Sequence, residues 1–379
     1  MRIAVLTFHR AFNCGAMLQA WALKTALERM GHTVEFPACN HVGEGTKRFR
    51  FVEWHNREKR GLQWVRSILG RAFVNLQKIP FNLLSVPCED LRRFRYRAFR
   101  NKFLPERDVA PSGFDRHYDL VISGSDQVFS DAHSVDDAPT FFCENKPKGI
   151  RAIAYAASYG DEPLIGKRLA RIVNALDNFS HVSVREALAK NQLSALTGKE
   201  ISETLDPTLL MQPEDYEELA CGNVPREPYL FMYILHAEPF FIETAQELAR
   251  RLGVKCIMTS CYQFSRWGAP KGLTYSISPD RLVQYARNAK YVLAGSFHGT
   301  VMGVMFDKPF LSLRGQVDQF ESRPAALLRK LGCEDRLVNP LVSVDEMYRR
   351  LVSPLPDIKE KLATLRAESL AWLKGAINA

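Results

Sequence analysis

The sequence predicts an α/β protein of two parallel-sheet domains facing one another. Three observations carry this. Short apolar strands alternate with amphipathic helices almost throughout; small polar residues crowd the carboxyl ends of those strands; and 379 residues are too many for one simple core.

The chain opens with a βαβ unit: strand Arg2 to Thr7, loop Phe8 to Gly15, helix Ala16 to Met30 stopped by Gly31, strand His32 to Phe36. In the loop, Asn13 and Gly15 lead into Gln19 on the helix, with small residues where a backbone could approach a ligand. A tight turn without a ligand is the alternative. The glycines of a dinucleotide fingerprint are missing, so no NAD site is inferred. Farther on, strand Tyr118 to Ile122 runs into Ser125, Asp126 and Gln127, and strand Arg151 to Ala157 closes on Ser158. After helix Ile165 to Asn178, strand His181 to Val184 delivers Arg185 and Glu186. Arg185 could clamp a carboxylate or phosphate with two parallel hydrogen bonds, or pair with Glu186 at the surface. Glu203 to Leu210 resembles a short strand broken by a proline, and the acidic stretch Glu214 to Glu218 suits an interdomain crossing.

A second α/β unit follows: strand Tyr229 to Leu235, helix Pro239 to Leu252, strand Lys255 to Thr259, a helix from Ser278, strand Tyr291 to Ala294 and strand Phe310 to Leu313. The expected division is 1–205 for the first domain, rejoined by a C-terminal helix within 355–379, and 206–354 for the second. The turn Gly295-Ser296-Phe297-His298-Gly299-Thr300 stands out, because it sets a histidine at a strand-to-helix junction. Ligands of open α/β sheets bind there, and helix N-termini offer unpaired N–H groups to anions. His298 is the first candidate for chemistry, with helix capping as its structural alternative.

Composition narrows the class. No apolar run reaches the roughly 18 residues of a membrane span, and the start lacks the features of a signal peptide, so a cytoplasmic protein is expected. Eight scattered cysteines without a C-x-x-C spacing point to reduced thiols and no metal. The net charge of +9 favours anionic partners. Lys47 to Lys102 holds 15 Lys/Arg against 4 Asp/Glu with aromatics between them, a composition suited to peripheral contact with an anionic membrane or to a solvated helix pair. No nucleic-acid-binding motif accompanies the charge, so nucleic acid is not an expected partner.

Seven stretches in order resemble the polysaccharide pyruvyl transferase family: TFHRAFNCGAMLQAWAL, DLVISGSDQVF, YAASYG, SVRE, LDPTLL, NAKYVLAGSFHGTVMGVMFDKPF and SRPAALLRKLGCEDR. The resemblance implies a GT-B-like fold of two Rossmann-like domains with the active site in the cleft. It implies phosphoenolpyruvate as donor, a sugar of a bacterial surface glycan as acceptor, lipid-linked in some pathways, and a pyruvate ketal as product. His298 matches the family's general acid and Arg185 an arginine held to contact the donor. Two residues before the histidine, better-described members carry an arginine where this chain has Ser296, which places it in a Ser-Phe-His-Gly branch. Arg323, with Arg314 behind it, is the candidate to restore that charge, beside Ser296 and Gly299 on the donor side. Asn13, Gly15, Gln19, Ser125, Asp126, Gln127 and Ser158 are candidates for the acceptor side. The scheme requires no cofactor and no metal. A nucleotide-sugar glycosyltransferase on the same architecture and a non-catalytic glycan-binding protein are the alternatives.

Overall fold

The computed structural model describes residues 1–38, 91–108, 117–130, 141–144, 146–160, 164–219, 222–235, 238–260, 273–274, 277–314 and 322–379. Most of the basic segment read as a membrane-contacting surface or a solvated helix pair, residues 47–90, lies outside them. The first sheet contains β1 (Arg2–Leu6), β2 (Thr33–Pro37), β3 (Glu106–Arg107), β4 (Leu120–Ser123), β5 (Arg151–Ala157), β6 (His181–Val184) and β7 (Ile201–Glu203). The second contains β8 (Tyr229–Ile234), β9 (Lys255–Ser260), β10 (Leu273–Thr274), β11 (Tyr291–Gly295), β12 (Phe310–Leu313) and β13 (Leu337–Val338). Their orders are β3-β2-β1-β4-β5-β6-β7 and β10-β9-β8-β11-β12-β13, and the strands pair in parallel. Each order reverses once, between β1 and β4 and between β8 and β11, and a crevice opens at such a point beyond the carboxyl ends of the strands.

The helices are α1 (Cys14–Arg29), α2 (91–103), α3 (Gly166–Ala175), α4 (Ala187–Thr197), α5 (Pro239–Leu252), α6 (Pro279–Asn288), α7 (Phe297–Met305), α8 (Arg323–Leu331), α9 (Val344–Val352) and α10 (Lys359–Asn378). Alternation along the strands sorts the core into three layers. Ala4, Leu6, Val121 and Val182 face one outer layer, and Leu230, Met232, Leu293 and Leu311 face the other. Between them, Ile3, Val5, Ile122 and Tyr155 of the first sheet share one continuous cluster with Tyr229, Phe231, Val292 and Phe310 of the second. α1 and α7 lie in this shared layer. That is why α1 is apolar on nearly every face and why all nine residues of α7 are buried.

Two crossings join the sheets. The stretch expected as a proline-broken strand instead ends its strand at Glu203, and Pro207 opens a short 3₁₀ helix, Pro207–Leu210. Asp206 accepts from the N–H of Thr208 (2.9 Å), and the proline fixes φ for the first turn, so the local chemistry favours a capped turn over a strand. A second 3₁₀ helix, Pro213–Glu218, carries the acidic stretch. α10 returns from the second unit to the first: the N–H of Leu205 donates to Ser369 Oγ (3.0 Å), and Arg366 Nε donates to the carbonyl of Leu209 (2.8 Å). Among the described residues no helix is long and apolar enough to cross a membrane.

Candidate active site

The loops beyond the carboxyl ends of both sheets converge on one cavity of about 460 Å³, within the roughly 300–1,000 Å³ usual for small-molecule sites. Phe8, Phe12 and Asn13 after β1, and Asp126 and Gln127 after β4, form the first domain's wall. Tyr233 and Leu235 at the end of β8, Ser296, Phe297 and His298 after β11, and Arg323 at the start of α8 form the opposite one. A smaller cavity of about 260 Å³ adjoins it on the second domain's side, sharing Ser296, Phe297 and Arg323 and lined further by Ser312 and Arg314.

His298 is the second residue of α7, and the cap is Ser296, whose Oγ accepts from the N–H of Gly299 (3.1 Å). The serine hydroxyl that stands where an arginine was expected is therefore committed to the helix end, and the histidine is not needed for capping. His298 is 7% exposed. Its ring lies between the two domains. On one side it rests on Gly15, where a Cβ would fall 2.1 Å from Nδ1. On the other, Nε2 is 3.5 Å from Oδ2 of Asp206.

Asn13 caps α1, its Oδ1 accepting from the N–H groups of Gly15 (2.9 Å) and Ala16 (3.3 Å), so this site residue also fixes how α1 enters the cleft. Asp126 takes a positive φ of 70°, a conformation that Asp tolerates better than most residues. Its Oδ1 is 3.8 Å from Nη1 of Arg323. With the Gln127 amide turned so that its oxygen accepts, Arg323 donates to it from Nη1 (3.1 Å) and Nη2 (2.8 Å). Arg323, carried by the second domain, is thus held over the first domain's β4 loop.

Four predicted residues stand behind the cleft surface, where their polar groups brace the walls. Gln19 is fully buried, donating to Thr7 Oγ1 (2.7 Å) and to the carbonyl of Ala16 (2.8 Å); Thr7 in turn donates to the carbonyl of Ser125 (2.8 Å). Ser125 Oγ donates to the carbonyl of Ala156 (3.1 Å) and accepts from Nη2 of Arg185. Ser158 Oγ donates to Glu186 and accepts from the N–H of Gly160 (3.1 Å). Gly15 supports the histidine. For these residues the turn polarity visible in the sequence serves the loops themselves.

Arg185 also differs from its expected place. It is 5% exposed, its Nη2 lies 2.6 Å from Oδ2 of Asp206, and its guanidinium sits 4.9 Å from the centre of the Phe297 ring. Neither a donor clamp in the open cleft nor a surface pair with Glu186 describes it. Burial beneath Phe297 is set by the packing of α7 on the first domain, which local sequence does not reveal.

Two residues escaped the sequence argument. Asp206 is 1% exposed. Burial opposes its charge, but Arg185 first, then His298 and Thr208, outweigh that and hold the carboxyl well below the usual carboxylate range. The available signal was an acid inside the apolar run LDPTLL, which must be buried and therefore paired. Arg92 on α2 lines the cleft with its guanidinium 5.4 Å from the Phe12 ring centre. It belongs to the basic segment Lys47 to Lys102. Along the same helix Tyr96 and Phe99 are core residues, while Phe94 is exposed.

The fold has relatives of known structure. A candidate UDP-N-acetylglucosamine 2-epimerase from Listeria monocytogenes matches with a TM-score of 0.52 at 10% identity, over 99% of this chain and 95% of its own. Another UDP-N-acetylglucosamine 2-epimerase matches with a TM-score of 0.50 at 11% identity, over 99% and 94%. At such identities the likeness concerns the fold, two Rossmann-like domains facing across a cleft in the GT-B-like manner. Comparison with curated proteins gives no match. The model of the polysaccharide pyruvyl transferase family matches residues 13–316, a span that takes in both walls of the cleft up to α7, with Arg185, Asp206 and His298. The chain therefore belongs to the polysaccharide pyruvyl transferase family, a family of enzymes.

Proposed function

We propose that this enzyme transfers the pyruvyl group of phosphoenolpyruvate to a sugar of a bacterial surface polysaccharide or its precursor, forming a pyruvate ketal and releasing phosphate. The observation that carries the proposal is the placing of His298 in a cavity also lined by Arg92 and Arg323, one cation from each domain. Phosphoenolpyruvate presents a carboxylate and a phosphate, and two cations on opposite walls suit two anionic groups on one small molecule.

The reaction then needs one proton donor and two acceptor hydroxyls. His298 gives its proton to the methylene carbon of the donor, the neighbouring carbon becomes electrophilic, and the first sugar hydroxyl adds there and returns its proton to His298. The second hydroxyl attacks the same carbon, the bond to the phosphate oxygen breaks, and the proton of that hydroxyl leaves with the phosphate. One methyl group, one ketal and one inorganic phosphate result, so atoms and charge balance. Asn13 and Asp126, which line the first domain's wall, are the candidates to orient the acceptor.

The test is phosphate release from phosphoenolpyruvate on adding candidate glycans, free and lipid-linked, with sugar nucleotides offered in parallel as donors. Turnover with sugar nucleotides alone would replace this proposal with glycosyl transfer. Arg323→Met should raise KM for phosphoenolpyruvate by roughly ten- to a hundred-fold, since a charged hydrogen bond contributes about 1.5–3 kcal/mol. An unchanged KM would remove Arg323 from the donor subsite.

A further inference from the structure

His298 is carried by the second domain, yet the groups that fix its ring come from elsewhere. Gly15 of the first domain lies against Nδ1, and Asp206, on the crossing between the sheets, faces Nε2. Among the described residues Nε2 has no hydrogen-bond partner, so the carboxylate 3.5 Å away is the group aimed at it. Asp206 is itself held from several directions. Its Oδ1 accepts from the N–H of Thr208 (2.9 Å) and from the Thr208 hydroxyl, which leaves Oδ2 facing Arg185 and His298. The backbone around it is pinned as well. The Leu205 carbonyl accepts from the Tyr155 hydroxyl (3.1 Å), the Leu205 N–H donates to Ser369 of α10 (3.0 Å), and the Thr208 carbonyl accepts from the Tyr216 hydroxyl (2.7 Å). A fully buried acid braced in this way, with one oxygen left toward a histidine, is built to hold a direction.

We propose that Asp206 is the positioning residue of the proton donor: it accepts from Nε2–H of His298, fixes the ring, and directs Nδ1 to the substrate, so that the doubly protonated ring gives up its Nδ1 proton and is left as the neutral Nε2–H tautomer. In this arrangement Arg185 keeps Asp206 charged and in place, and does not touch the donor. The absence of a side chain at Gly15 makes room for the ring in this position, since a Cβ there would lie 2.1 Å from Nδ1. Because the histidine and its orienting acid belong to different parts of the fold, the proton donor is complete only when the domains are apposed as they are here. The proposal rests on the pyruvyl-transfer mechanism for the role of His298, but the orientation of the ring can be measured without any substrate.

The experiment has two arms. In protein labelled with ¹⁵N-histidine and free of substrate, the His298 signal is assigned by its loss in His298→Ala, and long-range ¹H–¹⁵N correlations of the neutral ring read the tautomer. The expected form carries its proton on Nε2; a proton on Nδ1 would overturn the proposal, whatever the donor proves to be. In the kinetic arm, Asp206→Asn should lower kcat by roughly a hundred-fold or more while KM for phosphoenolpyruvate stays within about threefold, because orientation is lost and binding is not. Asp206→Glu should recover part of the turnover, and Arg185→Met should follow Asp206→Asn in lowering kcat rather than raising KM. A raised KM with unchanged kcat in these variants would return Arg185 to the donor site and sink the positioning role. If Asp206→Asn does not fold, with Arg185 left buried and uncompensated, the tautomer of the unaltered protein still decides.

Discussion

Replacing His298 with alanine is expected to reduce turnover by about 10²- to 10⁴-fold, the range that a positioned general acid contributes. Donor affinity should change little, because the cations that suit phosphoenolpyruvate, Arg92 and Arg323, are separate residues of the same cavity. The variant should also fold. α7 is capped by Ser296 and not by the histidine, and Asp206 keeps Arg185 2.6 Å away as its counter-ion. Turnover within about fivefold of the unaltered enzyme, in a protein with an unchanged melting profile, would remove His298 from the chemistry and leave it as an interdomain packing residue.

Gly15→Ala should be nearly as damaging, although the added group is one methyl. That Cβ would lie 2.1 Å from Nδ1 and 2.8 Å from Cβ of His298, so one of the two must move. α1 cannot easily do so, because it is buried on almost every face between the sheets. The imidazole is therefore expected to swing away, taking activity down by about a hundred-fold or more, while overpacking lowers stability by roughly 1–3 kcal/mol. The double variant Gly15→Ala/His298→Gly separates this clash from a general effect on the helix. With the imidazole and its Cβ absent, the alanine should be neutral or mildly stabilising, since Ala is favoured over Gly inside a helix by about 0.8–1 kcal/mol. A fully active Gly15→Ala enzyme would mean that the close approach relaxes in solution.

The same contact shows what sequence can and cannot disclose. The longer strands were legible because burial on both faces leaves continuous apolar runs, and the turn at His298 was legible because two glycines and a capping serine surround it. β3, β10 and β13 have two residues each, too few for any periodicity to register. Gly15 was noticed as a place where a backbone could approach something, but what it approaches is 283 positions later in the chain, and no local pattern encodes that partner. Arg185 revealed its chemistry and not its depth. Asp206 was hidden because its neighbours Leu205, Leu209 and Leu210 read as strand, and Arg92 because its neighbours are arginines too. In both cases composition around the residue masked the direction in which it points.

The sharing of one core layer by both sheets also bears on the order in which the molecule can be made. α1 leaves the ribosome well before part of its packing surface is synthesised. Cys14 donates to the carbonyl of Ile277 (3.8 Å), Trp21 packs at a tilt against Tyr216, which touches Phe306, and Gly15 awaits His298. At about 5–20 residues per second, roughly 15–60 s separate α1 from α7 during translation. The nascent chain thus carries a helix buried on nearly all sides in the finished protein with some of its partners not yet made, which makes it a natural client for a holding chaperone. Ribosome-stalled chains ending before α7 should bind such a chaperone and be cut readily by protease near Trp21, whereas chains extended past Leu331 should not. Equal resistance in both would mean that the first sheet alone can shelter the helix.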